Sequence, residues 1–218
     1  MGLSVKWATC NLGANKYTDY GDYFAWGETE TYYEYGYARE NPQSHWKSGK
    51  TRYYWDNYKY CCNGDAFSMT KYCISENWGY NGFTDGKTVL ELNDDAAFAN
   101  WGGSWRMPTI EEIDELFDSN NCTWKWYDKG NSEFGGIAGI KVTSKKSGYA
   151  GNWIFLPAAG HHLSVFASSV GTVGCYWSSS LFSGSFSNEA YYLDFAKNYV
   201  DRNKGYRMWG YSVRPVCQ

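Results

Sequence analysis

A chain of 218 residues with 43% hydrophobic and 20% charged residues can bury a sizeable core, which excludes an intrinsically disordered protein. The net charge of −3 and the pI near 5.6 exclude the basic surface that nucleic-acid binding requires. The longest apolar runs are far shorter than the ~20 residues of a membrane helix, so we expect no membrane insertion. The opening residues MGLSVKWATC lack the basic and apolar regions of a signal peptide.

Aromatic residues form 20% of the chain, with 21 Tyr and 12 Trp beside 24 Gly. Tyr combined with Gly, Ser and Asn is typical of adaptable binding surfaces. A Tyr-rich core without a binding role explains the composition equally well, so both interpretations stay open. The odd number of cysteines, seven, and the absence of CxxC spacing leave disulfides and buried free thiols as alternatives.

Residues 15–88 are dense in Tyr, Gly, Asn and Asp, and this composition predicts short strands and long loops. The first predicted helix follows in LNDDAAFANWGG, from Asn93 to about Asn100. Asn93 or Asp94 can cap its N-terminus, and the glycine pair that starts at Gly102 ends it.

The second predicted helix lies in MPTIEEIDELFDSN. Thr109 is the predicted N-cap, and Glu112 three residues later completes a capping box. The apolar residues recur at the spacing of one helix face, and the acidic residues take the other face or the N-terminal turn. The apolar positions are Ile110, Ile113, Leu116 and Phe117.

After residue 134 the pattern predicts strands in GIKVT, WIFLPAAG and AYYLDF. In the last of these, Tyr191, Leu193 and Phe195 share one face and are predicted to face the core. Tyr192 and Asp194 share the other face and are predicted to point outward.

Enzyme motifs are absent from the sequence: it contains no G-x-S-x-G, P-loop, HExxH or EF-hand loop. His161 and His162 are adjacent, so on a strand they point to opposite faces and cannot both bind one metal; the third histidine is His45. Asp94 and Asp95 could form a calcium or general-base site, but helix capping accounts for them more simply. We therefore expect no catalytic residues, no metal and no cofactor.

Four tryptophans crowd into one stretch of the middle of the chain and could form a sugar-stacking platform. Core or rim packing is the alternative explanation for tryptophan at this density. The residues are Trp101, Trp105, Trp124 and Trp126.

Seven stretches, in this order, resemble the Fibrobacter-type major paralogous domain of gut Bacteroidetes: GLSVKWATCNLGA, DYGDYFAWGE, DDAAFANWGGSWRMPTIEEIDEL, NCTWKW, IFLPAAG, YWSSS and GYSVRPV. That domain is similar to the formylglycine-generating-enzyme branch of C-type lectin folds. The resemblance implies a single α+β domain over residues 1–218, with two helices, short twisted antiparallel strands and many loops. It does not imply the enzyme activity, because Cys175 and Cys217 lie far apart in sequence without the surrounding pattern. The EPN, QPD and WND triplets of calcium-dependent lectins are also missing.

A second resemblance covers residues 176–218, which look like the variable region of a protein diversified by a retroelement. In that family, codons are rewritten at template adenines between framework residues that stay fixed. The implied framework is 176–181, Ala190, Tyr191, Leu193, Phe195, Val200, Arg207, Gly210 and 212–216. The implied ligand-binding residues are Phe182, Phe186, Asn188, Tyr192, Asp194, Asn198, Tyr199, Asp201, Asn203, Tyr206, Met208, Trp209 and Tyr211. Met208 and Trp209 cannot be reached from an asparagine codon and vary only if their template codons differ.

The second resemblance implies a non-catalytic ligand- or receptor-binding protein. The aromatic residues of the variable region, Tyr192, Tyr199, Tyr206, Trp209 and Tyr211, are predicted to crowd onto one exposed patch, which would be an interaction site. The alternative is that they pack against the Tyr-rich N-terminal half. Arg207 and Arg214 are predicted to be structural, because their five donors can tie loops to carbonyl groups.

The implied partner is a protein or glycan on a cell surface, and the implied location is extracellular, at the cell surface or on a phage virion. A fixed-specificity glycan-binding or adhesive surface domain of a gut bacterium is the main alternative. An enzyme of the formylglycine-generating type is a third hypothesis, which requires a reactive thiol pair.

Overall fold

The computed structural model describes residues 1–33 and 46–218. Strands account for 30% of the residues and helices for 13%, and the described part contains two α-helices beside several small antiparallel sheets. The predicted fold class, an α+β C-type lectin fold, is therefore wrong, because the chain is β-rich. The two helices have only six and eight residues, so the core is built mainly from strands and loops.

Ten strands and two helices make up the regular structure of the described residues. The strands are β1 Lys6–Trp7, β2 Cys122–Tyr127, β3 Gly139–Ser144, β4 Trp153–Pro157, β5 His161–His162, β6 Ala167–Ser168, β7 Val173–Leu181, β8 Glu189–Ala196, β9 Tyr199–Tyr206 and β10 Val216–Cys217, and the helices are α1 Ala96–Trp101 and α2 Ile110–Phe117. The strands predicted in GIKVT, WIFLPAAG and AYYLDF are confirmed as β3, β4 and β8.

The C-terminal sheet has the strand order β7-β8-β9 and is antiparallel throughout. Residues directly opposite each other share a face of such a sheet. Cys175, Asp194 and Asp201 are cross-strand neighbours on one face, which we call the upper face. Leu193 and Arg202 are neighbours on the opposite, lower face.

Three smaller sheets complete the strand pairing. Strands β2, β3 and β4 form an antiparallel sheet in that order, and β5 pairs with β6. Strand β1 pairs with β10, so that Lys6 lies opposite Cys217. This last pairing brings the two ends of the chain side by side.

The two helices lie where the sequence predicted them. Helix α2 has the predicted capping box, in which the Thr109 side chain accepts from the Glu112 N–H and Glu112 accepts from the Thr109 N–H. Helix α1 begins later than predicted, because Asp95 is its N-cap and accepts from the N–H groups of Ala97 and Phe98. Residues 92–94 form a separate 3-10 turn.

Between β1 and α1, the described residues of the Tyr-rich segment form 3-10 turns and isolated bridges instead of the predicted short strands. Several of its tyrosines are nevertheless buried: Tyr53 and Tyr58 are fully or almost fully buried, and their hydroxyls donate to the carbonyls of Tyr23 and Trp26 at 2.7 Å. Burial of these rings replaces strand pairing as the main source of order here. His45 lies outside the described residues.

Two buried clusters pack against the two faces of the C-terminal sheet. Trp177 and Tyr192 on the upper face belong to a cluster that contains the tyrosines and tryptophans of the N-terminal half. Leu193 and Phe195 on the lower face belong to a second cluster, which includes the buried face of α2. The predicted inward orientation of Leu193 and Phe195 is confirmed, while Tyr191 is only half-buried.

Residues 207–216, which we call the C-terminal thread, run between the N-terminal segment and the C-terminal sheet. The thread is bonded through its backbone on both sides. On one side it accepts from the N–H groups of Ala8, Leu12, Phe24 and Trp26 at 2.8–2.9 Å. On the other side it pairs with Arg106, His162 and Trp177. The thread is therefore an interior element rather than a surface loop.

Candidate functional site

The exposed part of the upper face is formed by β8 and β9. Asp194 lies directly opposite Asp201, and Tyr192 lies directly opposite Asn203. Tyr199, Asp201 and Asn203 are exposed, with Tyr199 46% exposed, while Asp194 is half-buried. Strand β9 is an edge strand, so these side chains point from a rigid sheet into solvent.

Asp194 is the centre of a small polar network on this surface. The Tyr199 hydroxyl donates to Asp194 Oδ1 at 3.2 Å, and Asn203 Nδ2 donates to Asp194 Oδ2 at 3.3 Å. Burial raises the pKa of the Asp194 carboxyl above its ordinary value, against these hydrogen bonds, and the nearby Asp201 charge adds to the increase. Burial and the Asp194 charge raise the pKa of Tyr199 to about 12.

Charges are segregated between the two faces of this sheet. Arg202 on the lower face pairs with Asp114 of α2 at 2.8 Å, and Lys204 pairs with Glu189 at 2.6 Å. Among the described residues, Asp194 and Asp201 are in no ion pair, and the upper face carries no Lys or Arg on β8 or β9. The upper face is therefore acidic.

Beyond Asp194, the upper face is covered instead of exposed. Tyr211 of the C-terminal thread lies on Trp177 and Tyr192, with ring centroids 4.3 and 4.6 Å away. Tyr192 is 7% exposed and Tyr211 2% exposed, so their predicted exposure is wrong. The physical reason is that Tyr211 exchanges two backbone hydrogen bonds with Phe24, which holds its ring against the sheet.

Tyr206 and Trp209 form an aromatic ridge next to the covered part of the sheet. Their ring centroids are 5.0 Å apart, and Tyr206 also contacts the ring of Trp55 at 5.9 Å. Tyr206 is 39% exposed and Trp209 is half-buried, so the predicted exposure of Tyr206 is confirmed. The Trp209 ring packs closely against Gly205, where an added Cβ would lie 3.0 Å from the ring.

Phe182 and Phe186 form a second group, in the loop between β7 and β8. Phe186 is exposed and contacts the ring of Trp78 at 5.3 Å, and Trp78 stacks on Phe67 at 4.8 Å. Lys204 lies over Phe182 and Phe186 at 4.5 and 4.9 Å. The predicted binding residues Phe182 and Phe186 thus lie on a surface of their own, which Phe67 and Trp78 join although no pattern in the sequence indicated it.

Two further predicted binding residues are buried. Asn188 is 2% exposed and its backbone carbonyl accepts from the N–H of Arg207 at 3.0 Å, and Met208 packs in the upper-face cluster. Neither can present its side chain to a ligand on this surface, so the prediction of exposure is wrong for both. Asn198, in the turn between β8 and β9, is exposed as predicted.

The two arginines of the thread have the predicted structural role. Arg207 is completely buried and donates to the hydroxyl of Tyr58 and to the carbonyls of Lys71, Tyr72 and Ser187 at 2.8–3.1 Å. Arg214 donates to Asn11 Oδ1 and to the carbonyls of Ala8 and Phe155 at 2.8–3.0 Å. Each arginine joins distant parts of the chain.

His161 and Cys175 border the upper face and were not expected there. The Cys175 Sγ lies 3.7 Å from His161 Nδ1, and Cys175 is directly opposite Asp194. Burial raises the pKa of the Cys175 thiol and lowers that of His161, so both groups are neutral near pH 7. A buried neutral thiol is a poor nucleophile.

The two aspartates considered as a calcium or general-base site have structural roles instead. Asp95 caps α1 and also accepts from the N–H of Met107, while Asp94 binds the ammonium groups of Lys59 and Lys71. All seven cysteines are free. Within residues 1–33 and 46–218, no three His, Cys, Asp or Glu side chains are placed to hold a metal ion, and no helix is long and apolar enough to cross a membrane.

The four tryptophans do not form one platform. Trp101 contacts Trp105, whereas Trp124 and Trp126 lie on β2 and pack against the lower-face cluster.

No family model, no curated protein and no solved structure matches this chain. The two resemblances in the sequence therefore stay predictions.

Proposed function

We propose that this protein is a non-catalytic binding protein that holds its ligand on the exposed part of the upper face. The observation that carries the proposal is the placement of Tyr199, Asp201 and Asn203: they are exposed on a strand whose sheet is packed on both sides by buried clusters. A preorganised scaffold of this kind lowers the entropic cost of binding. The aromatic ridge of Tyr206 and Trp209, at the far end of β9, presents a further exposed surface with the residue types that dominate binding energy.

The ligand in this proposal is a protein or a glycan on a cell surface. A direct test screens a random-peptide display library and a glycan array with the wild type and with Tyr199→Ala/Asp201→Ala/Asn203→Ala. The control is Tyr80→Ala/Glu76→Ala/Asn77→Ala, which likewise removes an exposed Tyr, an exposed carboxylate and an exposed Asn, but from another surface. We expect ligands that bind the wild type and the control equally well, and whose affinity for the upper-face variant is tenfold or more lower.

The proposal fails if every ligand binds the upper-face variant as well as the wild type. Hits confined to one class of glycan favour the fixed-specificity alternative. The melting temperature of both variants should stay within a few degrees of the wild type, because the removed side chains are exposed.

We also propose that the exposed upper-face positions are diversified. Alternation along β8 and β9 lets one face change while the other keeps its core contacts. Sequencing the DNA beside the gene tests this: we expect a near-copy of the codons for residues 176–218 next to a reverse transcriptase gene, with its differences at adenines. Differences should fall at Asp194, Tyr199, Asp201 and Asn203 and spare Tyr211. Absence of such a copy would overturn the diversification proposal and leave the binding proposal standing.

A further inference from the structure

The acidic pair Asp194 and Asp201 is uncompensated within the described chain. The two residues are directly opposite each other on neighbouring antiparallel strands, where like charges destabilise the pairing. Asp201 Oδ1 accepts from the N–H of Arg202 at 2.8 Å, and Asp194 accepts from Tyr199 and Asn203. These are neutral donors, which orient the carboxylates without cancelling their charge.

The cations of the same strands cannot supply the missing charge. Arg202 and Lys204 project from the lower face, where Asp114 and Glu189 hold them. Lys197, in the turn, is paired with Asp128 at 2.9 Å. Each nearby cation thus has its own carboxylate, and the exposed part of the upper face combines negative charge with the exposed ring of Tyr199.

This combination selects one kind of ligand. A carboxylate or phosphate would be repelled by the pair, and a neutral sugar would leave the charge uncompensated. A guanidinium or ammonium group can bind both carboxylates by charge-assisted hydrogen bonds, and the ring of Tyr199 can add a cation–π contact. The ridge of Tyr206 and Trp209, at the far end of β9, provides apolar contact area for residues further along the bound segment.

We propose that the upper face binds a basic segment of a partner protein, with an Arg or Lys side chain between Asp194 and Asp201. This inference rests on the proposed binding function and specifies its ligand. It requires no change in the described structure, because Asp201 and Tyr199 are already exposed and Asp194 is half-exposed.

The experiment uses the peptides that the display library yields against the whole wild-type protein. Each is titrated, by calorimetry, into the wild type, into Asp194→Asn/Asp201→Asn and into the control Glu76→Gln/Glu111→Gln. The two double variants each remove two exposed or half-exposed carboxylates, so they separate local charge from net charge. Melting curves of all three proteins verify that they are folded.

We expect the peptides that depend on the upper face to be enriched in Arg and Lys over the starting library. Their affinity should fall roughly tenfold or more in Asp194→Asn/Asp201→Asn, stay unchanged in the control, and weaken as salt rises from ~0.05 to ~0.5 M. Replacing the basic residue of a peptide by Gln should produce the same loss and abolish the difference between wild type and variant.

Two results are distinguishable. Peptides that need the upper face but show no excess of Arg or Lys, or that bind Asp194→Asn/Asp201→Asn as well as wild type, overturn the basic-segment inference and leave the binding function standing. If no selected ligand depends on the upper face, the proposed function itself fails.

Discussion

Strand β9 and the C-terminal thread are consecutive in sequence, and both combine aromatic with charged residues, yet they have opposite surroundings. Strand β9 lies at the edge of a sheet and has one strand neighbour, β8. The thread is bonded on both sides, to the N-terminal segment and to residues that include Trp177. Tyr199 is consequently 46% exposed and Tyr211 2% exposed.

The difference shows that the neighbours of the backbone decide whether an aromatic side chain can bind a ligand. A strand with partners on both edges and rings packed over it has no free side, whatever its composition. An edge strand keeps one face free when the other face covers a core. Four substitutions test this difference between strand β9 and the thread.

Replacing Arg207 in the thread should have the largest effect. In Arg207→Met, the carbonyls of Lys71, Tyr72 and Ser187 lose their donor inside the protein. We expect the free energy of unfolding to fall by at least about 3 kcal/mol, measured by urea denaturation. Arg202→Met on β9 is the matched control and should cost less than about 1 kcal/mol, because its ion pair is exposed. Equal losses would contradict the comparison.

Tyr211→Ala should also be severe, because it removes a ring that lies on Trp177 and Tyr192. The expected loss is about 3–5 kcal/mol, as for other large core side chains. Tyr199→Ala on β9 should change stability by less than about 1 kcal/mol. Thermal melts of the two variants check this, and a stable Tyr211→Ala protein would return Tyr211 to the list of binding residues.

Gly205→Ala probes the boundary between the two regions. Its Cβ would lie 3.0 Å from both the Trp209 ring and the Tyr211 hydroxyl, so one of them must move. Overpacking of this kind costs about 1–3 kcal/mol. Asn203→Ala, on the same face of the same strand, serves as the control and should be nearly neutral. A neutral Gly205→Ala would show that the ridge is loosely held.

Asp194→Asn should have the smallest effect, and it depends on pH. Burial raises the pKa of Asp194 above its ordinary value of 3.8, so the folded protein holds this proton more tightly than the unfolded chain. That contribution to stability is full below the ordinary pKa and is lost as pH rises through the raised pKa. Asn cannot ionise, so the variant should gain stability over the wild type between pH 4 and pH 7.

The expected gain is less than about 1 kcal/mol, because the group is partly exposed and screened by solvent. Urea denaturation at the two pH values measures it, with Glu76→Gln as the control for loss of an exposed charge elsewhere. A gain that is largest at pH 4 would contradict the sign.

Local signals in the sequence predicted local structure. Helix α2 could be located because a capping box and a single apolar face coincide. Strand β8 could be located because its apolar and polar residues alternate, and the lower-face positions Leu193 and Phe195 follow from that alternation. Both signals depend only on residues within one element.

Long-range pairing could not be predicted in this way, and it decided the fold class and the burial of the site. Strand β7 is buried along nearly its whole length and includes three serines, so it shows no alternation. Ser178 and Ser180 are satisfied by backbone groups, of Tyr191 and Ile110 respectively, that lie far away in sequence. The same limit made Tyr192 and Tyr211 look like exposed binding residues.

The position of the C-terminal thread also constrains how the protein is made. Leu12 and Ala8 receive their partners, Val213 and Pro215, only after some two hundred further residues have been joined to the chain. The aromatic cluster of the N-terminal half therefore stays incomplete until residues 207–216 have been synthesised. Contacts of such long sequence separation form slowly and expose sticky intermediates on the way. The thread, residues 207–216, acts as the closing step of folding, and a chain that stops at residue 206 should be a substrate for chaperones and proteases rather than a smaller version of the same protein.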